Sequence, residues 1–429
     1  MTTKVIKNFQ KITSFGGIFH LLDVFYNNFS ELILESLGKR CNGYAKYEYS
    51  DIICTLAMNF CSGADCLEDV QYTRKHLKLR PGFEAPSSDT VARAAKELVE
   101  DDILYTSKCG GTYKFNPAEK LNCLLLDMLI RTGQLRAEDE VTLDFDHEFI
   151  PAEKYDAQFS YKKARGYFPG VATIGDMIVG IENRDGNANV RFEQHETLER
   201  IFKRLNDRKI RTKVFRADCG SYSEDVIKTV IENSDCFYIR ASNSQSRHTD
   251  YEQCETWENV EINFENYGVA SFEFKDFLAD RKLRLVVQRQ EIEDVSGIQS
   301  LFGPAYKYRA ILTNDWEKSE LEIIQLYNAR GASERIFDMQ NNDFGWSHLP
   351  FSFMKENAVY LLITAMAKNF YIYIRRELTA KGVPGIDEKC RIKRFIRSFL
   401  AVPAKWITTG RQHYLKIYSN LPYEYYFRL

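Results

Sequence analysis

Three acidic residues lie in sequence contexts that would bring them to one metal site. Asp146 and Asp218 each come at the end of a short segment rich in apolar residues, and Glu334 falls within a helical pattern. Two aspartates on strands and a glutamate on a helix can supply oxygen ligands to two hard divalent cations. Two such cations close together suit the in-line displacement of phosphoryl transfer. The three acids therefore predict metal-assisted chemistry on phosphodiesters.

Two further side chains accompany the glutamate. Tyr327 and Arg330 precede Glu334 by seven and four residues, and such offsets place side chains on one face of an α-helix. We expect Arg330 to orient the Glu334 carboxylate or to hold a phosphate. We expect Tyr327 to pack on, or hydrogen-bond to, a nucleic-acid backbone.

The first acid has an alternative two residues away. Asp144 and Asp146 point to the same face of one predicted strand, because side chains alternate along a strand. Asp146 lies nearer the strand end, where ligands from a neighbouring strand and a helix converge more easily. We therefore predict Asp146 as the ligand and keep Asp144 as the alternative. The aspartate that does not bind metal would orient a ligand or a water.

Five short motifs occur in an order that resembles bacterial insertion-sequence DDE transposases. Tyr327-x2-Arg330-x3-Glu334 resembles the signature that carries the third acid of that family. The other motifs are Leu143-Asp144-Phe145-Asp146, Gly166-Tyr167-Phe168-Pro169-Gly170, Arg184-Asp185-Gly186-Asn187 and Arg216-Ala217-Asp218-Cys219-Gly220-Ser221-Tyr222. The resemblance runs from about residue 90 to the end of the sequence. The sequence departs from the family at Asn341, where the family has a lysine seven residues after the glutamate.

This resemblance implies an α/β fold, with an RNase H-like catalytic core that a β-rich insertion interrupts between the second and third acids. It implies cut-and-paste DNA transposition, in which phosphodiester hydrolysis at the ends of an insertion sequence precedes strand transfer. The implied cofactor is a pair of Mg²⁺ ions, with Mn²⁺ as a substitute, held by Asp146, Asp218 and Glu334. The implied partners are double-stranded DNA with terminal inverted repeats and target DNA, with a homodimer on the paired ends. Trp257, in the insertion, is the candidate to stack on a flipped base.

The net charge of the chain does not by itself indicate nucleic-acid binding. The 429 residues include 58 Lys and Arg against 60 Asp and Glu, for a formal charge of −2. Basic residues nevertheless cluster near the end, and a neutral total can hide a basic face. A predicted basic helix over 386–399 would contact DNA phosphates through Lys389, Arg391, Lys393, Arg394 and Arg397.

Composition limits the remaining classes. A hydrophobic content of 44% is typical of a globular protein. The sequence contains no apolar run long enough to cross a membrane and no signal-peptide core at its start, so we expect a bacterial cytoplasmic protein that associates with the nucleoid when bound to DNA. Ten cysteines without a Cys-x2-Cys pair indicate free thiols rather than zinc ligands.

The order of predicted elements divides the chain into five parts. Two or three domains are expected for this length. The predicted parts are a helical DNA-binding region over 1–115, the first part of the RNase H-like core over 116–242, the β-rich insertion over 243–312, the second part of the core over 313–380 and a basic helical tail over 381–429.

Two other functions remain open at this point. An RNase H-like nuclease would use the same acids to cut DNA without strand transfer. A DNA-binding protein derived from a transposase would keep the fold and lose an acid, and the presence of all three acids argues against it.

Overall fold

The structure is a computed structural model that describes residues 3–7, 9–242, 247–291 and 306–428, with only the backbone given for Asn42, Ala332 and Ser333. Parts of the predicted insertion, 243–246 and 292–305, lie outside the described residues. No helix in the described ranges is both long enough and apolar enough to span a membrane.

Runs of helices at both ends of the chain flank a middle part that is rich in strands. The α-helices are α1 (Ile18–Leu37), α2 (Tyr49–Cys61), α3 (Val70–Leu77), α4 (Ser88–Lys96), α5 (Glu119–Arg131), α6 (Gln194–Asp207), α7 (Glu224–Asn233), α8 (His248–Glu252), α9 (Glu320–Asn328), α10 (Ser333–Asp343), α11 (Met354–Ala380), α12 (Ile392–Phe395) and α13 (Tyr423–Tyr426). The strands are β1 (Ile103–Thr106), β2 (Thr112–Asn116), β3 (Glu140–His147), β4 (Ile150–Pro151), β5 (Gln158–Phe159), β6 (Arg165–Tyr167), β7 (Gly170–Ile174), β8 (Met177–Arg184), β9 (Arg211–Ala217), β10 (Cys236–Arg240), β11 (Glu258–Ile262), β12 (Glu265–Phe274), β13 (Leu283–Glu291), β14 (Tyr306–Thr313), β15 (Ala404–Thr409) and β16 (Gln412–Ile417).

One mixed sheet organises the catalytic part of the molecule. Its strand order is β1-β2-β8-β7-β3-β9-β10-β14-β13-β12-β11. The centre of the sheet, β8-β7-β3-β9-β10, is an antiparallel meander of β3, β7 and β8 followed by β9 and β10, which run parallel to β3. Helices α6 and α7 connect these strands. This strand order is that of an RNase H-like fold, and it confirms the predicted fold class.

The β-rich insertion continues the core sheet. Strand β14 pairs antiparallel with β10, and β13, β12 and β11 follow outward in antiparallel pairs. The sequence predicts four strands in this region, over 258–264, 269–274, 284–289 and 306–313, and β11 to β14 confirm them. Because β14 is hydrogen-bonded to β10, the four strands extend the sheet that carries the acids and do not form a separate one.

The N-terminal helices pack on the long helix α11. Apolar side chains of α1, α2, α4 and α5 share one buried cluster with α11. Amphipathic patterns predict helices over 18–37 and 50–60, and α1 and α2 confirm them. The sequence favours Ser50 or Asp51 as the cap of the second helix, but Glu48 is the N-cap and Asp51 completes a capping box with it. The hairpin β1-β2, which was not predicted, joins β8 at the edge of the core sheet.

The helical pattern around Glu334 predicts one helix over 317–340, but the structure breaks it, which corrects the expectation that Tyr327, Arg330 and Glu334 share one continuous helix. Helix α9 ends at Asn328, a 3₁₀ turn covers Ala329–Ala332, and α10 begins at Ser333. Asn328 and Gly331 have low helix propensity, and Ser333 favours a helix start, so local preferences explain the break.

The C-terminal segment is less helical than predicted. The helix expected over 386–399 is only the short α12 followed by a π-helical turn, Ile396–Leu400. Gly385, with φ of 81°, places a turn before it. Beyond the turn, β15 and β16 form a hairpin in which Gly410 and Arg411 have φ of 58° and 65°, as a two-residue type I′ turn requires.

Candidate active site

The first two predicted acids lie side by side at the ends of neighbouring parallel strands. Phe145 of β3 is paired with Ala217 of β9 in the ladder, so the following residues, Asp146 and Asp218, leave adjacent strands at the same level. Neighbouring strands are about 4.8 Å apart. The carboxyl ends of parallel strands meet at one edge of the sheet, and this edge therefore carries the acid pair.

Asp146 is held by two hydrogen bonds. Its Oδ1 accepts from the backbone N–H of His147 at 2.9 Å, and its Oδ2 accepts from Nη2 of Arg330 at 3.1 Å. The side chain is 22% exposed. Burial raises the pKa of Asp146 to about 6, while Arg330 lowers this pKa and Asp218 raises it. The raised pKa shows that negative charge at this edge is costly until a cation compensates it.

Asp218 begins a tight turn. It is the N-cap of a 3₁₀ helix, Cys219–Ser221, and its Oδ1 accepts from the backbone N–H of Gly220 at 2.9 Å. The side chain is half-buried. Only one oxygen of the carboxylate is engaged by this bond, so the other can face an incoming ligand.

Asp144, the alternative first acid, is already fully paired. Both of its oxygens accept from Arg216, each at 2.7 Å, and the side chain is almost buried. Arg216 in turn donates to the carbonyl oxygen of Leu326 in α9 at 2.7 Å. The Asp144–Arg216 pair therefore ties β3 and β9 to the helix that precedes the third acid.

Glu334 does not join the aspartates. Its side chain is exposed in the first turn of α10. Within the described part of the chain, the group of acidic, Cys and His side chains whose ligand atoms all lie within 4.8 Å of one another is Glu193, His195 and Glu196, so Asp146, Asp218 and Glu334 do not form such a group. The role of Glu334 as third ligand stays a prediction.

Tyr327 and Arg330 do reach the acid pair. Arg330 is bound to Asp146, and its buried Nε has no acceptor among the described residues. Burial raises the pKa of the Tyr327 hydroxyl. The charge of Arg330 lowers this pKa, and the negative charge of Asp218 raises it. Arg330 in the 3₁₀ turn and Tyr327 near the end of α9 are thus the two of the three predicted side chains that lie near the site.

Asn341, which stands where the family has a lysine, bonds within the protein. Its Nδ2 donates to Oε1 of Glu148 at 2.9 Å. Glu148 follows β3 and raises the pKa of Asp146. The bond therefore fastens α10 to the segment next to the first acid.

A buried arginine supports this segment, and it is a feature that the sequence reasoning did not assign. Arg184 donates to Nε2 of His147 at 3.0 Å and to the carbonyl oxygens of Asn189 and Phe192 at 2.9 and 2.7 Å. Burial lowers the pKa of Arg184 to about 10. The position of Arg184 at the end of an apolar strand could have indicated its role, because a buried charged residue must find acceptors within the protein.

Trp257 lies on the insertion, partly covered. The guanidinium of Arg289 sits 4.4 Å from the centre of its ring, and the same guanidinium is 4.5 Å from the ring of Tyr306. Phe272 and Tyr308 are further ring neighbours of Trp257. Its buried Nε1 has no acceptor among the described residues. Base stacking by Trp257 stays a prediction.

The five basic residues of the tail differ in their partners. Arg391 pairs with Asp338 and Asp343, and Arg394 pairs with Asp387. Lys389, Lys393 and Arg397 are exposed and have no ion-pair partner among the described residues. A cleft of about 630 Å³ is lined by Asn342, Asp343, Arg391, Lys393, Arg394 and Arg397.

A second cationic pocket, missed by the sequence reasoning, adjoins Tyr327. It has a volume of about 280 Å³, and its lining contains Arg240 and Arg309 but no carboxylate. Arg240 follows Ile239, which is paired with Ala217, so this pocket begins one strand away from Asp218. Neither arginine has an ion-pair partner in the described ranges. The sequence pattern of β10 and β14 did not indicate that Arg240 and Arg309 would face the same pocket.

The donor set at the acid pair fits hard divalent cations. Two carboxylates on adjacent strands offer oxygen ligands, and Arg330 already places a positive charge against Asp146. Asp144 has less capacity for a cation in this arrangement, because it forms a two-bond pair with Arg216 and its side chain is 8% exposed, against 22% for Asp146.

Comparison with known proteins identifies the family. No curated protein matches the chain. Among solved structures, the piggyBac transposase synaptic complex with hairpin DNA is similar at 12% identity, with a TM-score of 0.48, over 88% of this chain and 79% of that one. The Drosophila P element transposase strand transfer complex is similar at 13% identity, with a TM-score of 0.24, over 49% of this chain and 40% of that one. The family model described as transposase DDE domain group 1 matches residues 4–429. The chain therefore belongs to this family of DNA transposases.

Proposed function

We propose that this transposase cuts and joins DNA at the ends of an insertion sequence, with Asp146, Asp218 and Glu334 as metal ligands. The observation that carries the proposal is the parallel register of β3 and β9, which sets Asp146 beside Asp218. Fixed carboxylates on adjacent strands satisfy the main requirement of in-line phosphoryl transfer, which is a rigid set of oxygen ligands. Glu334 would complete the set from the first turn of α10.

A pair of Mg²⁺ ions, or Mn²⁺ in their place, would supply an activated attacking oxygen and neutralise charge at the scissile phosphate. Asp146 and Asp218 would hold these ions. Asp144 and Arg216 would keep the two strands and α9 in place. Arg330 would turn its unpaired Nε towards a phosphate oxygen while it still contacts Asp146.

Cations beside Tyr327 and on the tail would contact the DNA backbone. Arg240 and Arg309 face the pocket beside Tyr327. Lys389, Lys393 and Arg397 face solvent near the tail cleft. We also propose that the N-terminal helices over 1–115 bind DNA and that Trp257 stacks on a flipped base.

The partners follow from the reaction. The DNA would be double-stranded, with terminal inverted repeats, and a second DNA would serve as target. Because two ends must be joined in one event, a homodimer would hold them together. The site of action would be the nucleoid in a bacterial cytoplasm.

The test is cleavage of DNA that carries the inverted repeats flanking the reading frame. Asp218→Asn and Glu334→Gln are expected to abolish cleavage in Mg²⁺ and to leave binding of the ends nearly unchanged, because each removes charge from the metal site only. Glu199→Gln, at an exposed position on α6, is the matched control and should cut normally. Ca²⁺ should support binding with little cleavage, since it tolerates looser geometry. Near-normal cleavage by either site variant would remove that residue from the ligand set.

A second arm separates transposition from simple nuclease activity. Pre-cut ends with free 3′-hydroxyls are mixed with a supercoiled plasmid. Joined products are expected from the wild type and not from Asp218→Asn. Cleavage of intact ends without any joining would identify a nuclease.

A further inference from the structure

A small three-stranded sheet follows the first acid and presents aromatic and basic side chains to solvent. Strands β4, β5 and β6 pair antiparallel in the order β4-β6-β5, over residues 150–167. Three aromatic residues on it are strongly exposed: Tyr155 at 83%, Phe159 at 62% and Tyr161 at 69%. Single exposed apolar residues are ordinary, whereas three within seven positions form a surface that water hydrates poorly.

Cations surround these rings without matching acids. The basic side chains of this sheet are Lys154, Lys162, Lys163 and Arg165, and none of them has an ion-pair partner among the described residues. Of the two acids in 150–167, Asp156 is turned inward, where it accepts from the Tyr167 hydroxyl at 2.6 Å and from the N–H of Met354 at 3.0 Å. Glu153 is the one acid left facing solvent. The surface is therefore cationic in a chain with a net charge of −2.

The tip of the β5-β6 hairpin is held in a fixed shape. The N–H of Ser160 donates to the carbonyl oxygen of Ala164 at 2.8 Å, and the N–H of Lys163 donates to that of Ser160 at 2.9 Å. Lys163 has φ of 63°. This turn presents Tyr161, Lys162 and Lys163 together at its tip, so little backbone entropy remains to be lost when they bind a ligand.

Side-chain contacts connect the tip to the acid pair. The ring of Tyr161 lies 6.0 Å from that of Phe168, which lies 5.9 Å from the ring of His147, the residue after Asp146. A ligand on the hairpin would therefore sit beside the edge of the sheet where the scissile phosphate is expected.

We propose that this hairpin binds an unstacked nucleotide of the DNA strand next to the cut, with its base on the ring of Tyr161 and its phosphates on Lys162 and Lys163. The inference rests on the proposed function, since it takes the strand at the acid pair to be DNA. Aromatic rings stack on any base, and lysines neutralise phosphates without reading sequence. The platform thus favours an exposed base over a paired one, and it fits DNA that is opened or sharply bent at the cleavage point.

Binding of generic oligonucleotides in EDTA, where no cleavage occurs, tests the inference. The probes are a fluorescein-labelled single strand of thymidines and a blunt duplex of the same length. Tyr161→Leu is expected to weaken single-strand binding about five-fold or more, because stacking on one aromatic ring contributes at least that factor. Tyr161→Phe keeps the ring and should restore the affinity. Blunt duplex binding should change less than single-strand binding in Tyr161→Leu.

The salt dependence of single-strand binding tests Lys162 and Lys163. Lys162→Ala/Lys163→Ala should lower the log–log salt slope of single-strand binding by about 0.7 for each lysine. Lys203→Ala/Lys228→Ala removes two exposed lysines from α6 and α7 and serves as the charge-matched control, which should keep the wild-type slope. Substitution at these solvent-exposed tip positions should leave thermal unfolding unchanged.

A stacking probe separates the possible outcomes. A 2-aminopurine within the single strand should lose fluorescence on binding to the wild type and to Tyr161→Phe, but not on binding to Tyr161→Leu. If Tyr161→Leu binds the single strand as tightly as the wild type does, the proposed stacking on Tyr161 is wrong, while the proposed function stands. The platform would also be overturned if the variants altered only the sedimentation of the protein, because the patch would then join two copies of the chain. A wild type that neither binds DNA nor cuts its own ends would overturn both.

Discussion

Asp144 and Asp146 lie two residues apart on β3, and their surroundings give them different tasks. Arg216 occupies both oxygens of Asp144, whereas Asp146 meets Arg330 and the neighbouring Asp218. A paired, nearly buried carboxylate contributes to structure, and a partly exposed one beside a second acid is available to a cation. This contrast supports the choice of Asp146 as the metal ligand.

The first residue-scale prediction separates the two aspartates. Asp146→Asn should abolish cleavage and leave the protein folded. Asp144→Asn should retain measurable cleavage per folded molecule but lower the free energy of unfolding by about 3 kcal/mol, because it leaves Arg216 nearly buried without its counter-charge. Urea unfolding and cleavage rate measure the two effects. Arg216→Gln combined with Asp144→Asn should recover part of the stability, and loss of cleavage without loss of stability in Asp144→Asn would reverse the assignment.

The second residue-scale prediction concerns pH. The pKa of Asp146 is raised from 3.8 to about 6 in the folded protein, so the folded state binds this proton more tightly than the unfolded state. The stabilising contribution of the proton is complete below pH 4 or so and is lost as the pH rises through about 6. In EDTA, Asp146→Asn should therefore be about 2 kcal/mol more stable than the wild type at pH 8 and equally stable at pH 4. Equal unfolding midpoints at pH 8 would contradict the raised pKa.

At the scale of elements, the C-terminal cations divide into paired and unpaired groups. Arg391 and Arg394 are held by acids of α10 and of the preceding loop, and these pairs fix α12 in place. Lys389, Lys393 and Arg397 have no ion-pair partner among the described residues, and they are the tail cations that we propose for DNA phosphates.

The prediction at this scale is a difference in salt dependence. Neutralising Lys389, Lys393 and Arg397 together should lower the log–log salt slope of duplex binding by about 0.9 for each residue, whatever the base sequence. Adding Arg391→Ala and Arg394→Ala should change stability more than the slope. Cleavage at saturating protein should survive in the three-fold variant. A slope equal to that of the wild type would mean that this surface is only solvated.

The sequence was a good guide to elements whose own residues determine them. Alternation over 141–145 predicted β3, and the apolar spacing over 18–37 predicted α1. It failed where distant contacts decide. The hairpin β1-β2 forms because β8 offers it an edge, and the pairing of Arg216 with Asp144 depends on a register between strands 72 residues apart in sequence. The position of Glu334 depends on a break between α9 and α10. The spacing of Tyr327, Arg330 and Glu334 predicted a continuous helix and gave no indication of this break.

At the scale of the whole molecule, the N-terminal helices and the catalytic sheet share one core. Helix α11 is buried along most of its length, with apolar residues of α1 and α2 on one side and β8 on another. A chain without the N-terminal helices would expose this apolar surface to water.

The corresponding prediction concerns truncation. A fragment of residues 116–429 should be unfolded or insoluble, and the full chain should unfold in one cooperative transition. A fragment of residues 13–429 is the control and should fold normally, because Val5, Ile6 and Phe9 of the removed arm are 91%, 90% and 83% exposed. Circular dichroism and calorimetry measure both. A stable, active 116–429 fragment would show that the helices are an independent domain.

The two borders of the large sheet govern how copies of this chain meet. At one border β1 has four residues, and at the other β11 carries the exposed Glu258 and Glu261. Short strands and repeated negative charges both oppose the addition of a further strand from another molecule. The sheet can therefore be eleven strands wide without seeding fibrous aggregates. Two copies assembled on DNA, as proposed above, would therefore be held through helices, loops or the DNA itself rather than through a shared sheet.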